Sequence, residues 1–296
     1  MAFDRAAAAA LLFPVLLLSG CLWTTRRLPI PKQPSVVLTA TPAELAERLN
    51  RRWDALESLT ATVEIQASVL KAKQGMATDY TPIRGIILLR KPEMLRVYGR
   101  VPVIGTRAFD MVSNGDHFML WIPSKNIVFE GSNSVTKKSA NPIENLRPGF
   151  FMDALVVRGL KPDDWYGVVA DSETVEDASR KHLFLVPEYI LSISHHEPGS
   201  HELSPERVVT FNRDTLLPSQ QDLYARNGNL ETQVFYYAYK DFGTGMYPSR
   251  VVIKRPVEGL RIVLSVEKVV ENQTPPLTAS EFELRPSEGT RIKNLQ

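Results

Sequence analysis

The chain has 296 residues, 44% apolar and 23% charged, with 35 Lys plus Arg against 33 Asp plus Glu. This balance excludes wholesale disorder, and a net charge of +2 supplies no polyanion-binding field, so no nucleic-acid partner is expected. One cysteine, Cys21, excludes an intramolecular disulfide, a CxxC redox pair and a multi-cysteine zinc site.

Ala6 to Leu18 form an apolar run interrupted by Pro14 and too short for the roughly 20 residues that span a bilayer. A short apolar stretch closed by small residues follows the logic of a secretory signal. Leu18-Ser19-Gly20-Cys21 resembles a bacterial lipobox. That resemblance implies removal of residues 1–20 as a lipoprotein signal peptide and acylation of Cys21 as the new first residue. The competing reading is a buried structural cysteine in a core helix. Residues 21–40 carry Pro29, Pro31 and Pro34 with Arg26, Arg27 and Lys32, and read as a lipidated tether.

Thr41-Pro42-Ala43-Glu44 predicts a helix start, with Thr41 as N-cap, proline at the first turn and Glu44 returning a bond to the cap. Leu45, Leu49, Trp53 and Leu56 recur at helical spacing and require a covering partner. The period then changes to two. Leu59, Ala61, Val63, Ile65, Ala67 and Val69 alternate with polar residues, which predicts a strand with one dry face. Strands are expected at 83–90, 94–100, 105–112, 117–122 and 126–129, with Asn114-Gly115 as a hairpin turn. A second series follows at 183–195, 206–212, 219–226, 230–241, 248–255 and 260–270. Between them, 131–181 reads as polar loops around a short helix at 148–157. The whole predicts one helix followed by about eleven antiparallel strands without a βαβ rhythm; a sandwich and a strongly curved sheet both remain open.

Several segments together resemble the LolA/LolB-like lipoprotein-localisation superfamily. They are Leu59 to Val63 after the capped helix, Met94-Leu95-Arg96-Val97-Tyr98-Gly99, Trp121-Ile122-Pro123, Asp214-Thr215-Leu216-Leu217-Pro218, Tyr247-Pro248-Ser249-Arg250 and Phe282-Glu283-Leu284-Arg285-Pro286. The resemblance covers 41–290 and leaves 291–296 as a tail. It implies an unclosed antiparallel half-barrel wrapped around the N-terminal helix and a short lid helix, binding acyl chains of lipids or lipoproteins on an apolar concave face. With Cys21 in a lipobox, it implies the receptor-like, lipid-anchored type on the periplasmic side of the outer membrane. Such members place an apolar loop residue in the membrane, and Val103 and Ile104 within Arg100 to Gly105 are the corresponding candidates. An envelope protein is a further candidate partner.

Ala61, Val63, Ile65, Ala67, Phe109, Met111, Leu264 and Val266 are the expected walls of the acyl-chain cavity, the alanines leaving room and the methionine adapting to irregular chains. Ordinary core packing explains the same residues. His195, His196, Glu197, His201 and Glu202 cluster within seven residues, but neither HExxH nor a thiolate accompanies them, and no metal or cofactor is expected. GxSxG, GxxxxGK[ST] and GxGxxG are absent, Asp163-Asp164 reads as a loop, and no catalytic residue is expected. The alternative to a carrier is an envelope adaptor for protein or glycan, using an aromatic patch at Phe235, Tyr237 and Tyr239. A lipid-handling hydrolase built on the histidines is a third reading.

Overall fold

The computed structural model describes residues 26–29, 37–71, 75–133, 148–177, 179–196, 199 and 201–295. Cys21 and the signal segment lie outside the described residues, as does Glu197. The chain divides into a small unit, residues 1–35 with 173–186, and a larger one, residues 36–172 with 187–296. Within the small unit, Arg26 pairs with Glu176 at 2.5 Å and donates to the Arg180 carbonyl at 2.7 Å. Among the described residues, the larger unit holds the two α-helices and most of the strands.

Helix α1 spans Pro42–Ala55 and starts as its sequence dictates. The Thr41 hydroxyl accepts from the Glu44 amide at 3.2 Å, and the Glu44 carboxylate accepts from the Thr41 amide at 2.7 Å. This capping box holds the Glu44 carboxyl below the usual range, chiefly through the Thr41 amide. Helix α2 is Pro148–Leu155.

Among the described residues, fifteen strands form one sheet: β1 (Ser58–Lys71), β2 (Met76–Asp79), β3 (Ile83–Arg90), β4 (Met94–Arg100), β5 (Arg107–Ser113), β6 (His117–Ile122), β7 (Ile127–Ser132), β8 (Asp164–Glu176), β9 (Leu183–His196), β10 (Leu203–Asn212), β11 (Leu217–Tyr224), β12 (Leu230–Asp241), β13 (Met246–Arg255), β14 (Leu260–Glu271) and β15 (Arg291–Leu295). Their order is β15-β7-β6-β5-β4-β3-β1-β14-β13-β12-β11-β10-β9-β8, with β2 paired to β1. The sheet is not closed, and an open half-barrel describes it. Among the described residues no helix is long and apolar enough to cross a membrane.

The strand total exceeds the expected eleven or so because β2, β8 and β15 carry no dry face: their residues are almost all exposed, so they leave no alternation to read. Residues 291–295, expected as a tail, instead add a strand parallel to β7. Asp164, expected in a loop, begins β8.

The two helices share the face of the sheet that carries Ala61, Val63 and Ile65, here called the inner face. Leu45 and Leu49 of α1 pack with Leu191 and Ile193 of β9 and Val209 and Phe211 of β10. Phe150, Phe151, Met152 and Leu155 of α2 pack with the inner residues of β1, β3, β4 and β12 to β14. The expected lid helix thus fills the centre, and α1 covers the β9–β10 side. On the outer face Asp110 is fully buried between Arg96 and Arg107, and Arg96 also donates to the Glu281 carbonyl at 2.8 Å. This ties the C-terminal segment to β4 and β5.

Candidate functional site

A cavity of about 320 Å³ lies between α1, residues 155–157 and strands β10 to β13. Leu49 of α1 forms part of one wall, Leu155, Val156 and Val157 another, and Phe211, Leu216, Tyr236, Tyr239 and Tyr247 the sheet side. Arg48 and Arg52 border it on the helix. Arg52 makes a two-pronged ion pair with Glu271, whose hydrogen bonds hold the guanidinium charged more firmly than usual.

The 155–157 wall is fixed by hydrogen bonds at the end of α2, where carbonyls lose their helical partners. Gln221 Nε2 donates to the Asp153 carbonyl at 2.8 Å and the Tyr247 hydroxyl to that of Leu155 at 2.8 Å. Arg207, itself buried, donates to the carbonyls of Arg158 and Gly159 at 2.5 and 2.6 Å. Asn50 Oδ1 of α1 accepts from the Leu160 amide at 2.7 Å. The wall is therefore clamped from both the helix and the sheet, and a cavity behind it does not collapse freely.

Three tyrosines set the chemistry. Burial pushes the phenols of Tyr236, Tyr239 and Tyr247 above the ordinary tyrosine value, so they stay neutral. The Tyr239 hydroxyl donates to the Pro218 carbonyl at 2.8 Å, whereas that of Tyr236 has no partner. Ala238, at φ +50°, interrupts the strand alternation beside them. Tyr239 stands at the cavity, while Phe235 and Tyr237 stack on each other at 6.4 Å with Tyr237 exposed. The expected exposed patch of Phe235, Tyr237 and Tyr239 accordingly loses its third member to the interior.

Of the eight expected cavity residues, Ala61, Val63, Ile65, Met111, Leu264 and Val266 are buried in the central cluster, with Ala67 and Phe109 packed against it. The structure brings all eight together on the inner face, and none lines the 320 Å³ cavity. Room on that part of the face exists at Gly85 and Gly99, where an added Cβ would come within 2.5 Å of the Ile65 side chain and 2.4 Å of that of Ile83. Isoleucine side chains fill it.

Val103 and Ile104 lie at the tip of the β4–β5 hairpin, 107% and 72% exposed. Val103 has φ +68°, a left-handed conformation that a β-branched residue adopts at a cost. His195 Nδ1 is 3.5 Å from Asp163 and His196 stacks on Trp165 at 5.5 Å. Among the described residues no three His, Cys, Asp or Glu side chains gather closely enough to hold a metal ion.

No protein-family model and no curated protein matches the sequence. Solved structures do. A DUF1329 family protein from Desulfovibrio piger is similar at a TM-score of 0.53 and 16% identity, over 82% of this chain and 95% of that one. A LolA superfamily protein from Nitrosomonas europaea gives 0.49 at 14% identity, over 83% and 99%. A putative outer membrane lipoprotein-sorting protein domain from Vibrio parahaemolyticus gives 0.48 at 12%, over 81% and 94%. At such identities the likeness is one of fold.

Proposed function

We propose that the protein is a lipid-anchored envelope lipoprotein that takes an acyl chain of a lipid or lipoprotein into the cavity between α1 and the sheet. The observation that carries the reading is the cavity itself: about 320 Å³ left unfilled, walled mainly by aliphatic and aromatic side chains, and clamped open by the bonds at Asp153, Leu155, Arg158 and Gly159. That volume is at the lower end of small-molecule pockets and suits a single chain. Transfer of an acyl chain from water contributes about 0.8 kcal/mol per methylene, so no specific polar contact is needed for binding. Cys21 carries the anchor, and Val103 with Ile104 is the loop that enters the membrane. The reading assigns no catalytic residue and no cofactor.

Native mass spectrometry of the full chain released from membranes in mild detergent tests it. The expected result is a non-covalent adduct of acyl-chain mass that disappears in Val157→Trp, where an indole occupies the cavity, with the circular dichroism unchanged. A wild-type protein free of adduct would overturn the carrier reading and favour an adaptor working through Phe235 and Tyr237. The intact mass of the mature chain separately reports whether Cys21 is acylated.

A further inference from the structure

The strand registers place several chain turns at one end of the sheet. Arg84 pairs with Arg100 and Arg100 with Arg107, so the start of β3 and the β4–β5 hairpin share that end. Ile65 pairs with Ile83 and Val69 with Leu260, which brings in the end of β1 and the β13–β14 turn. Lys71 pairs with Met76, adding the β1–β2 hairpin. In sheet order these turns belong to neighbouring strands, from β5 through β4, β3, β1 and β14 to β13. They are bonded together there: the Leu70 amide donates to the Gly259 carbonyl at 2.7 Å and the Tyr80 amide to that of Ala67 at 3.0 Å.

This end carries Leu70, Met76, Tyr80, Val103, Ile104 and Val257, all exposed. Exposed apolar residues scattered singly need no explanation, but six on adjoining turns form one patch. At the same end stand the exposed cations Arg84, Arg100, Lys125, Arg226, Lys254 and Arg291 and the exposed acids Glu64, Asp79, Glu202 and Glu288, six positive charges against four negative. The far end of the same strands differs. It exposes Glu57, Glu93, Asp116, Asp214 and Asp241 beside the cation Lys240, and Met246, Val37 and Leu38 are among its exposed large apolar residues.

We infer that this entire rim, and not the β4–β5 hairpin alone, is a docking surface for an anionic lipid bilayer, its apolar side chains entering the headgroup region and its cations meeting lipid phosphates. The inference rests on the reading of Val103 and Ile104 as the membrane-touching loop and widens it to two further turns. Charge complementarity identifies the occupant: a basic margin around an apolar patch matches a negatively charged interface, where each cation adds attraction. A second copy of the chain would bring like charges together at the same patch.

The test uses the full-length Cys21→Ser chain, which has no other thiol, with single cysteines at Met76, Ile104 or Val257 and, on the far end, at Asp241. Each is labelled with a polarity-sensitive fluorophore and reconstituted with vesicles of phosphatidylethanolamine and phosphatidylglycerol, with brominated acyl chains as quencher. Labels at all three rim positions should shift to the blue and lose most of their emission, and the Asp241 label should keep its own. In vesicles of phosphatidylcholine alone the quenching at the three positions should fall several-fold. Quenching at Ile104 with none at Met76 and Val257 overturns the rim while leaving the single-loop reading in place. No quenching at Ile104 overturns both, and equal quenching in the two vesicle types overturns the electrostatic part.

Discussion

The backbone turns left-handed at Val103 and Asn126 at one end of the sheet and at Leu216 and Asn272 at the other, and Val103 and Asn272 make the sharpest contrast. Asn272 uses its side chain for folding. Its Oδ1 accepts from the amides of Glu57 and Ser58 at 2.7 and 3.1 Å, and its Nδ2 donates to the Ala55 carbonyl at 2.8 Å, so one residue joins the end of α1 to the start of β1 and the end of β14. An asparagine also tolerates positive φ better than a branched residue. Val103 has the wrong side chain for its backbone and points wholly into solvent. The Asn272 side chain thus supports the backbone at its own position. The Val103 position carries backbone strain with no buried side-chain contact to offset it. The cavity follows the same polarity: its residues 216–218 and 245–248 lie toward the Asn272 end, away from the apolar rim.

Alkali should separate the two ends most forcefully. Tyr236, Tyr239 and Tyr247 have phenols raised above the unfolded value of 10.0. A group raised on folding contributes stability that is fully present below its unfolded pKa and is lost as pH climbs toward the folded one. Stability should therefore hold to about pH 10 and then fall by up to about 4 kcal/mol per pH unit for three phenols, each worth about 1.4 kcal/mol. Urea titrations across that range measure the slope. Tyr236→Phe should lessen it by about a third and, since its hydroxyl has no partner, leave neutral-pH stability unchanged or higher. An unaltered slope would show that the cavity end is open to solvent.

Gly259→Ala probes the apolar rim's internal bonding. The added Cβ would lie 2.1 Å from the Leu70 carbonyl oxygen, at φ +62°, so the β13–β14 turn must move and the Leu70 to Gly259 bond must break. A loss of about 3 kcal/mol in thermal or urea unfolding is expected, combining the left-handed penalty with a lost bond. If the loss is under about 1 kcal/mol, the turns of this rim are not a single bonded surface.

How far the sequence foretells this structure depends on where the signal arises. The capping box at Thr41 and Glu44 is local, and it stands as read. Strands with a dry face announce themselves by alternation, and β3, β4 and β6 match their expected spans. β8 is an edge strand wet on nearly both faces, so hydrophobic periodicity has nothing to record. The cavity is the product of tertiary placement. Small residues at 61 and 67 suggest room on the first strand, yet α2 and the isoleucines beside Gly85 and Gly99 occupy that face. The 320 Å³ space lies beside large tyrosines, where the carbonyl clamps at 153–159 hold a wall at a distance that no local pattern encodes. Paired tyrosines in β12 followed by Tyr239 and Tyr247 are its available trace: phenols that must be buried on one face need partners, and a wall supplies them.

Asn272→Val should cost about 2–3 kcal/mol, from the loss of side-chain bonds to three backbone groups and the left-handed penalty for a branched residue. The reciprocal change is smaller and more informative. Val103→Asn places a residue that tolerates φ +68° where a β-branched one now sits, and no buried contact is lost because the valine is fully exposed. Folding stability should rise by about 0.5–1 kcal/mol. Contact with phosphatidylglycerol vesicles should weaken at the same time, since a fully exposed apolar side chain is removed from the rim. Opposite signs in the two measurements identify a residue kept for the bilayer at the expense of the fold. A variant that gains stability and keeps its full membrane contact would show that the strain at Val103 serves no membrane role.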